Sequence, residues 1–268
     1  MLTGPSHAGQ SVSYPIRALR TVRVTRYVTP LREGGSLPAI VEADDDGLYV
    51  LKFRGAGQGP KALIAELVSG EIARALGLPV PELVFADLDP DLARTEPDPE
   101  IFALIRDSAG LNLALDYLPS SVMFDPVVEK PARDLASRIV WFDAYVTNVD
   151  RTVRNTNMLM WHRTLWLIDH GATLYFHHAP EWAARTDRAR DPFTLIKHHV
   201  LLTRAQALAG VDAGMADALS ADLIDGIVRL IPDSWLEDGA PDRATYARYL
   251  VERLAPPRAF VEEAIRAR

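Results

Sequence analysis

Apolar and polar residues alternate along 22–28, VRVTRYV, and again along 48–53, LYVLKF, the period of a strand with one buried face. Between them PAIVEA, 38–43, is an apolar run of strand length. DDDG, 44–47, is a hairpin signal, because Asp-Gly tolerates positive φ in a tight turn. The period then changes. KALIAELVSGEIARAL, 61–76, has helical spacing, and Gly77 followed by Pro79 ends that helix. PELVFADL, 81–88, and LNLALDYL, 111–118, are two further strands, separated by a proline- and acid-rich surface excursion with a short helix after it.

The second half reads as mostly helical. PARDLASRIVWFDAYV, 131–146, is apolar over a broad face and predicts a buried helix, with more helices near 191–199, 203–210, 219–231, 241–253 and 257–267. NMLMW and LWLID flank the turn HRT, 162–164, and predict a hairpin over 157–169 with Asn157 roughly opposite Asp169. The expected fold is α+β: a flexible segment 1–21, a lobe 22–118 of antiparallel strands with one helix, and a helical lobe 119–268. The two join near YLPSS, 117–121, and a cleft between lobes is a common ligand site.

Composition narrows the class. With 268 residues, 48% of them hydrophobic, the chain can bury a proper core, and its apolar runs are too short to span a bilayer. Without cysteine, thiol catalysis and Cys-ligated zinc are excluded. No basic start followed by an apolar core marks a secretory signal, so a cytoplasmic setting is expected. A net charge of −7 gives no support for nucleic-acid binding. The adjacent pairs His177–His178 and His198–His199 point in different directions along a strand or helix, so surface or helix-end positions are expected rather than zinc.

The chemistry concentrates in NVDRTVRN, 148–155, and LIDHG, 167–171. The hairpin brings Asn155 beside Asp169, and an amide and a carboxylate oxygen together suit magnesium, a hard cation that keeps waters and phosphates as its other ligands. Asp150 remains free to accept a proton or orient a hydroxyl. An acid such as Asp169, between WLI and HGATLYF, is costly to bury without a partner. Lys52 ends an apolar strand where its ammonium can reach phosphate oxygens, and either Glu66 or Glu71 on the following helix can orient it. In REGGSLP, 32–38, Gly34 and Gly35 let backbone amides approach phosphates closely, with Ser36 at the loop tip.

Taken in order, strand, Gly loop, strand, Lys strand, Glu helix, linker, Asp-x4-Asn loop and Asp-x-Gly are the parts of a protein-kinase-like site. The chain resembles the HipA-like kinases, in particular their short single-chain members, with lipid kinases as more distant relatives sharing Asp-Arg and Asp-x-Gly. REGGSLPAIVEADDDGLYVLKF, AELVSGEIARALGLPVPEL, NVDRTVRN and LIDHG carry the resemblance over roughly 22–200. It implies that Asp150 is the catalytic aspartate, Asn155 and Asp169 hold magnesium, and Lys52 contacts the α- and β-phosphates of ATP. Glu66 matches the helix glutamate better than Glu71. Backbone groups near Asp116 and Leu118 are expected to meet the adenine edge.

The chain departs from the wider pattern in two ways. There is no His-Arg-Asp triplet, and His170 follows Asp169 where many kinases have Phe. Full-length HipA toxins also carry an extra N-terminal segment, for antitoxin contact, that the short members are expected to lack. The leading expectation is an ATP- and magnesium-dependent kinase acting on protein Ser or Thr, with Ser36 as a candidate autophosphorylation site. A protein substrate is the expected partner, with an antitoxin or regulatory protein as a further candidate. The alternatives are a small-molecule kinase of the antibiotic-phosphotransferase type and a catalytically silent nucleotide-binding scaffold. The first typically shows His-Gly-Asp-x-His where this chain has Thr-Asn-Val-Asp-Arg; the second usually lacks one of the Lys, Asp, Asn and Asp set, all present here.

Overall fold

The structure, a computed structural model, describes residues 18–31, 37–179, 181–236 and 242–268. The expected flexible segment 1–21 lies outside these apart from 18–21, and Gly34, Gly35 and Ser36 lie outside them altogether.

Five strands form the N-terminal half: β1 (Thr21–Pro30), β2 (Ala39–Ala43), β3 (Leu48–Lys52), β4 (Leu83–Leu88) and β5 (Gly110–Asp116). They close into a barrel in the order β1-β2-β3-β5-β4 rather than an open antiparallel sheet. The closing pair is parallel, Thr21–Arg23 against Phe85–Asp87, whereas the rest of β1 runs antiparallel to β2. Two register shifts in β1, between Val24 and Arg26 and between Tyr27 and Thr29, bend the strand so that its two ends serve different partners. The β2–β3 turn forms as the Asp-Gly signal predicts, with Asp46 at φ 61°. Asp45 pins it by accepting from the Gly47 amide at 3.1 Å and the Tyr49 hydroxyl at 2.7 Å.

Helix α1 (Pro60–Ala75) follows β3, with Pro60 in its first turn, where a missing N–H costs nothing. It ends in a Schellman turn: Gly77, at φ 68°, donates to the Arg74 carbonyl at 2.9 Å and Leu78 to that of Ala73 at 2.9 Å. Residues Leu63 to Ala73 are all buried, Glu66, Ser69 and Glu71 included, so α1 is an interior helix rather than an amphipathic surface one. A second helix, α2 (Pro99–Asp107), is the short helix expected after the proline-rich excursion, and joins α1 in this half. The barrel interior holds one core, among it Val24, Val41, Leu51, Val84 and Ile105. The other core runs from α1 through the outer faces of β4 and β5 into the C-terminal half.

That half begins with the short strand β6 (Val122–Met123) and α3 (Arg133–Tyr145), then the hairpin β7 (Met158–Trp161) and β8 (Thr164–Leu167). Among the described residues between Tyr175 and Arg204 the helical pieces are short 3-10 turns, so the helix expected near 191–199 is only a turn over Thr194–His198, beyond Pro192. The helix expected from 203 starts later, as α4 (Leu208–Asp217), because Ser137 of α3 accepts the Ala207 amide at 2.9 Å and sets its start. Helices α5 (Ala221–Arg229), α6 (Arg243–Leu254) and α7 (Ala259–Ala267) complete the chain. Among the described residues no helix is long and apolar enough to cross a membrane.

Arg253 of α6 fastens α3. Its buried guanidinium donates to the carbonyls of Ala144 and Tyr145, at 3.0 and 2.9 Å, at the negative end of the α3 dipole. It also donates to Ala189 and Asp191, both at 3.0 Å, and stacks 4.8 Å from the Phe260 ring. Arg253→Met keeps the apolar stem but orphans these carbonyls, so about 3 kcal/mol of stability should be lost. Urea unfolding measures this; an unchanged midpoint would show that the carbonyls find other donors.

Candidate active site

The hairpin turn is tighter than the sequence suggests. His162 and Arg163, at φ 47° and 64°, form a two-residue turn, and Thr164 already pairs with Trp161. The register therefore sets Met158 against Leu167 and Asn157 against Ile168, whose amide donates to the Asn157 carbonyl at 3.1 Å. Asp169 lies one step beyond, in the left-handed region at φ 55°.

This geometry delivers Asp169 to Lys52. The Lys52 Nζ donates to Asp169 Oδ1 at 2.6 Å and stands 3.8 Å from Glu66 Oε2, with 11% of the lysine side chain and 2% of the glutamate exposed. Burial alone would lower the Lys52 ammonium, but Asp169 and Glu66 raise it above its ordinary value. Burial would likewise raise the Glu66 carboxyl, and Lys52 and His170 reverse that, holding it well below the usual range. Glu71 instead pairs with Arg74 at 2.8 Å, which leaves Glu66 as the helix carboxylate beside the lysine.

The α1 helix is also tied to the loop after Asp169. Thr173 Oγ1 lies 2.7 Å from Ser69 Oγ, 3.3 Å from the Ala65 carbonyl and 2.8 Å from the His170 carbonyl. A Cβ on Gly171 would meet the Ala62 carbonyl at 3.6 Å, Glu66 Oε2 at 3.7 Å and Asp169 Oδ1 at 3.8 Å, all ordinary van der Waals contacts, so space alone does not require a glycine there.

Asp150 is held by two amides. Asn155 Nδ2 donates to its Oδ2 at 2.8 Å, and Asn157 Nδ2 to the same oxygen at 3.1 Å. Burial raises the Asp150 carboxyl above its ordinary value, Asp169's charge adds to this, and the two amides oppose it. Because Asn155 spends its amide nitrogen on Asp150, its side-chain oxygen is free for a cation. Among the described residues no cluster of three acidic or histidine ligands could hold a metal. The set on offer is one carboxylate and one amide oxygen, which fits magnesium held together with substrate phosphates rather than in an all-protein cage.

Beneath this loop lies a network that the sequence reading did not assign. Asp143, in the buried run of α3, accepts from Asn148 Nδ2 at 2.8 Å, Arg151 Nε at 2.6 Å and His199 Nε2 at 2.8 Å. His199 Nδ1 accepts the Leu201 amide at 3.0 Å, which fixes the proton on Nε2. Arg151 also donates to the Asn157 carbonyl, and the Asn148 side chain accepts the Asp150 amide at 3.0 Å. Arg151 is thus fully buried, neither phosphate-facing nor solvated, and His199 is an interior residue. His177 is buried too, 3.2 Å from the Tyr246 hydroxyl, so the expected surface positions hold for neither pair as a whole. The overlooked signal was the lone acid in IVWFDAYV, which is costly to bury without partners; Asp143 is wholly buried, whereas Asp169 keeps 40% of its side chain exposed, contrary to the expectation for it.

At the end of β5, Asp116 donates its amide to the Glu82 carbonyl at 2.9 Å and Tyr117 its amide to that of Leu48 at 3.0 Å. That removes the Asp116 amide from the expected adenine edge and leaves the amide of buried Leu118.

The sequence profile of the HipA-like kinases matches residues 24–254. The chain belongs to the HipA-like kinase family. Its fold is similar to that of the Helicobacter pylori proinflammatory kinase CtkA, with a TM-score of 0.56 at 12% identity over 90% of this chain and 97% of that one. A Golgi casein kinase solved with Mn/ADP bound gives a TM-score of 0.47 at 12% identity over 93% of this chain and 74% of that one. No curated protein matches the chain. Phosphotransfer on a kinase-like α+β fold follows from the family match.

In this HipA-like kinase the buried Asp143 carboxyl tests the loop support. Burial would raise it, but Arg151 and His199 hold it well below the ordinary range. A depressed carboxyl contributes stability above its unfolded value and loses it as pH falls through the folded one. Asp143→Asn should cost about 3–5 kcal/mol near neutral pH by leaving Arg151 without its counter-charge. The gap to wild type should narrow below about pH 4. Denaturant unfolding across pH measures this, and a gap independent of pH would mean that the charge does not matter.

Proposed function

We propose that this HipA-like kinase uses ATP and magnesium and transfers the γ-phosphate to a Ser or Thr hydroxyl of a protein. One observation carries the reading: Lys52, Glu66 and Asp169 converge from β3, α1 and the end of the hairpin, beside an Asp150 fixed by Asn155 and Asn157.

Phosphoryl transfer depends on positioning and charge stabilisation, and each residue has a part. Lys52, oriented by Glu66, contacts the nucleotide phosphates. Asp169 and the Asn155 side-chain oxygen hold the ion, which when bound neutralises charge on the phosphates. Asp150 aligns the acceptor hydroxyl and takes its proton as the acceptor oxygen bonds to the γ-phosphorus and ADP leaves. Its raised carboxyl suits that task, since a stronger base accepts the proton more readily. The Leu118 amide faces the adenine, Asp116 contributes through its side of the same linker, and Gly34, Gly35 and Ser36 cover the phosphates. The lobes 22–118 and 119–268 then flank the nucleotide. The partner required is a protein acceptor, and the setting proposed is cytoplasmic.

Asp169→Asn should weaken binding of magnesium-ATP more than that of metal-free ATP, because it removes a charged oxygen ligand. Lys52→Ala should weaken both. Calorimetric titration with and without magnesium separates them; equal affinities across all forms would dismiss these assignments.

Asp150→Ala should bind magnesium-ATP nearly as wild type does yet transfer phosphate about 10²–10⁴-fold more slowly. Single-turnover kinetics reads this, and loss of nucleotide affinity instead would recast Asp150 as a structural or metal residue.

A further inference from the structure

His170 stands between Asp169 and Gly171 and is wholly buried, edge-on to the Phe142 ring at 5.7 Å. Its Nδ1 lies 3.3 Å from Glu66 Oε1, while its Nε2 has no hydrogen-bond partner. An ionised carboxylate only accepts, so Nδ1 carries the proton. The other oxygen of the same carboxylate faces Lys52 at 3.8 Å. Glu66 is therefore tied to the Asp169 loop by the His170 ring, with the His170 backbone adding to it, and it faces β3 across an ion-pair contact whose oxygen has no hydrogen-bond partner. Packing alone does not explain an imidazole here. An apolar ring would suit the contact with Phe142 and would leave no buried nitrogen unpaired.

We propose that His170 is a positioning residue: its Nδ1–H fixes the Glu66 carboxylate, Glu66 holds Lys52, and the Asp169 loop is thereby coupled to the lysine that meets the nucleotide. The consequence for nucleotide rests on the phosphotransfer reading above, whereas the hydrogen bond does not.

The test has two arms. Nitrogen-15 NMR of histidine-labelled wild-type protein should show the His170 Nδ1 protonated, and an unprotonated Nδ1 overturns the proposal whatever the protein binds. The second arm is calorimetric affinity for magnesium-ATP, with thermal unfolding confirming that each variant folds. His170→Phe should raise the Kd about tenfold, the scale of one hydrogen bond to a charged group. His170→Asn, whose amide nitrogen reaches as far as Nδ1, should stay within about twofold of wild type, again on that hydrogen-bond scale. In a Glu66→Gln background His170→Phe should cause no further loss, because the two act as a unit. If His170→Phe does not fold, His170→Gln takes its place, since its amide reaches Nε2 instead. Unchanged affinity in the Phe or Gln variant, equal losses in it and the Asn variant, or additive effects with Glu66→Gln would overturn the proposal. A wild-type protein that bound no magnesium-ATP would instead overturn the phosphotransfer reading, with the NMR arm still deciding the His170–Glu66 bond.

Discussion

The Lys52 side chain is buried but for 11% of its surface, and a positive charge so placed is tolerable only among carboxylates. Glu66 and Asp169 supply them from α1 and from the end of the β7–β8 hairpin, far apart in sequence. The barrel strand, the helix and the hairpin must all be in place before the charges balance. That requirement explains why α1 is buried on nearly every side and why Ser69, Thr173 and His170 tie it to the loop that carries Asp169.

The loop that carries Asp150 is stabilised on the same principle one layer deeper. Asp143 accepts from Asn148, Arg151 and His199, and the buried guanidinium of Arg151 reaches on to the Asn157 carbonyl. Asp150 is thus positioned by a resident carboxylate of α3, while Arg253 holds the end of α3 itself. Two buried arginines, one paired with a carboxylate and one with carbonyls, define the loop from opposite ends.

Much of this was legible in the sequence, for physical reasons. Strand and helix periods located β1 to β5, α1 and α3 closely, and Gly77 with Pro79 marked the end of α1. Lys52 and Asp169 could be singled out because polar residues at the ends of apolar runs need partners, and Asp150 and Asn155 by their spacing in the loop before the hairpin. Barrel closure was not legible, since it depends on two register shifts inside β1 that leave its alternation looking regular. Nor were the short turns of 175–204, where tertiary hydrogen bonds override local helical propensity. His199 and Arg151 were missed because their meaning is pairwise: each looks ordinary until the fold brings it to Asp143, whose place in an apolar run was the one signal.

The family match establishes a kinase, and the donor set argues for magnesium and a nucleotide as its reagents. The most direct measurement is to incubate the protein and a lysate with magnesium and ATP labelled at either the γ- or the α-phosphate, then identify the labelled amino acids. Label from the γ-position alone, on serine or threonine, is the predicted result. Incorporation from the α-position, or none from either, would contradict it.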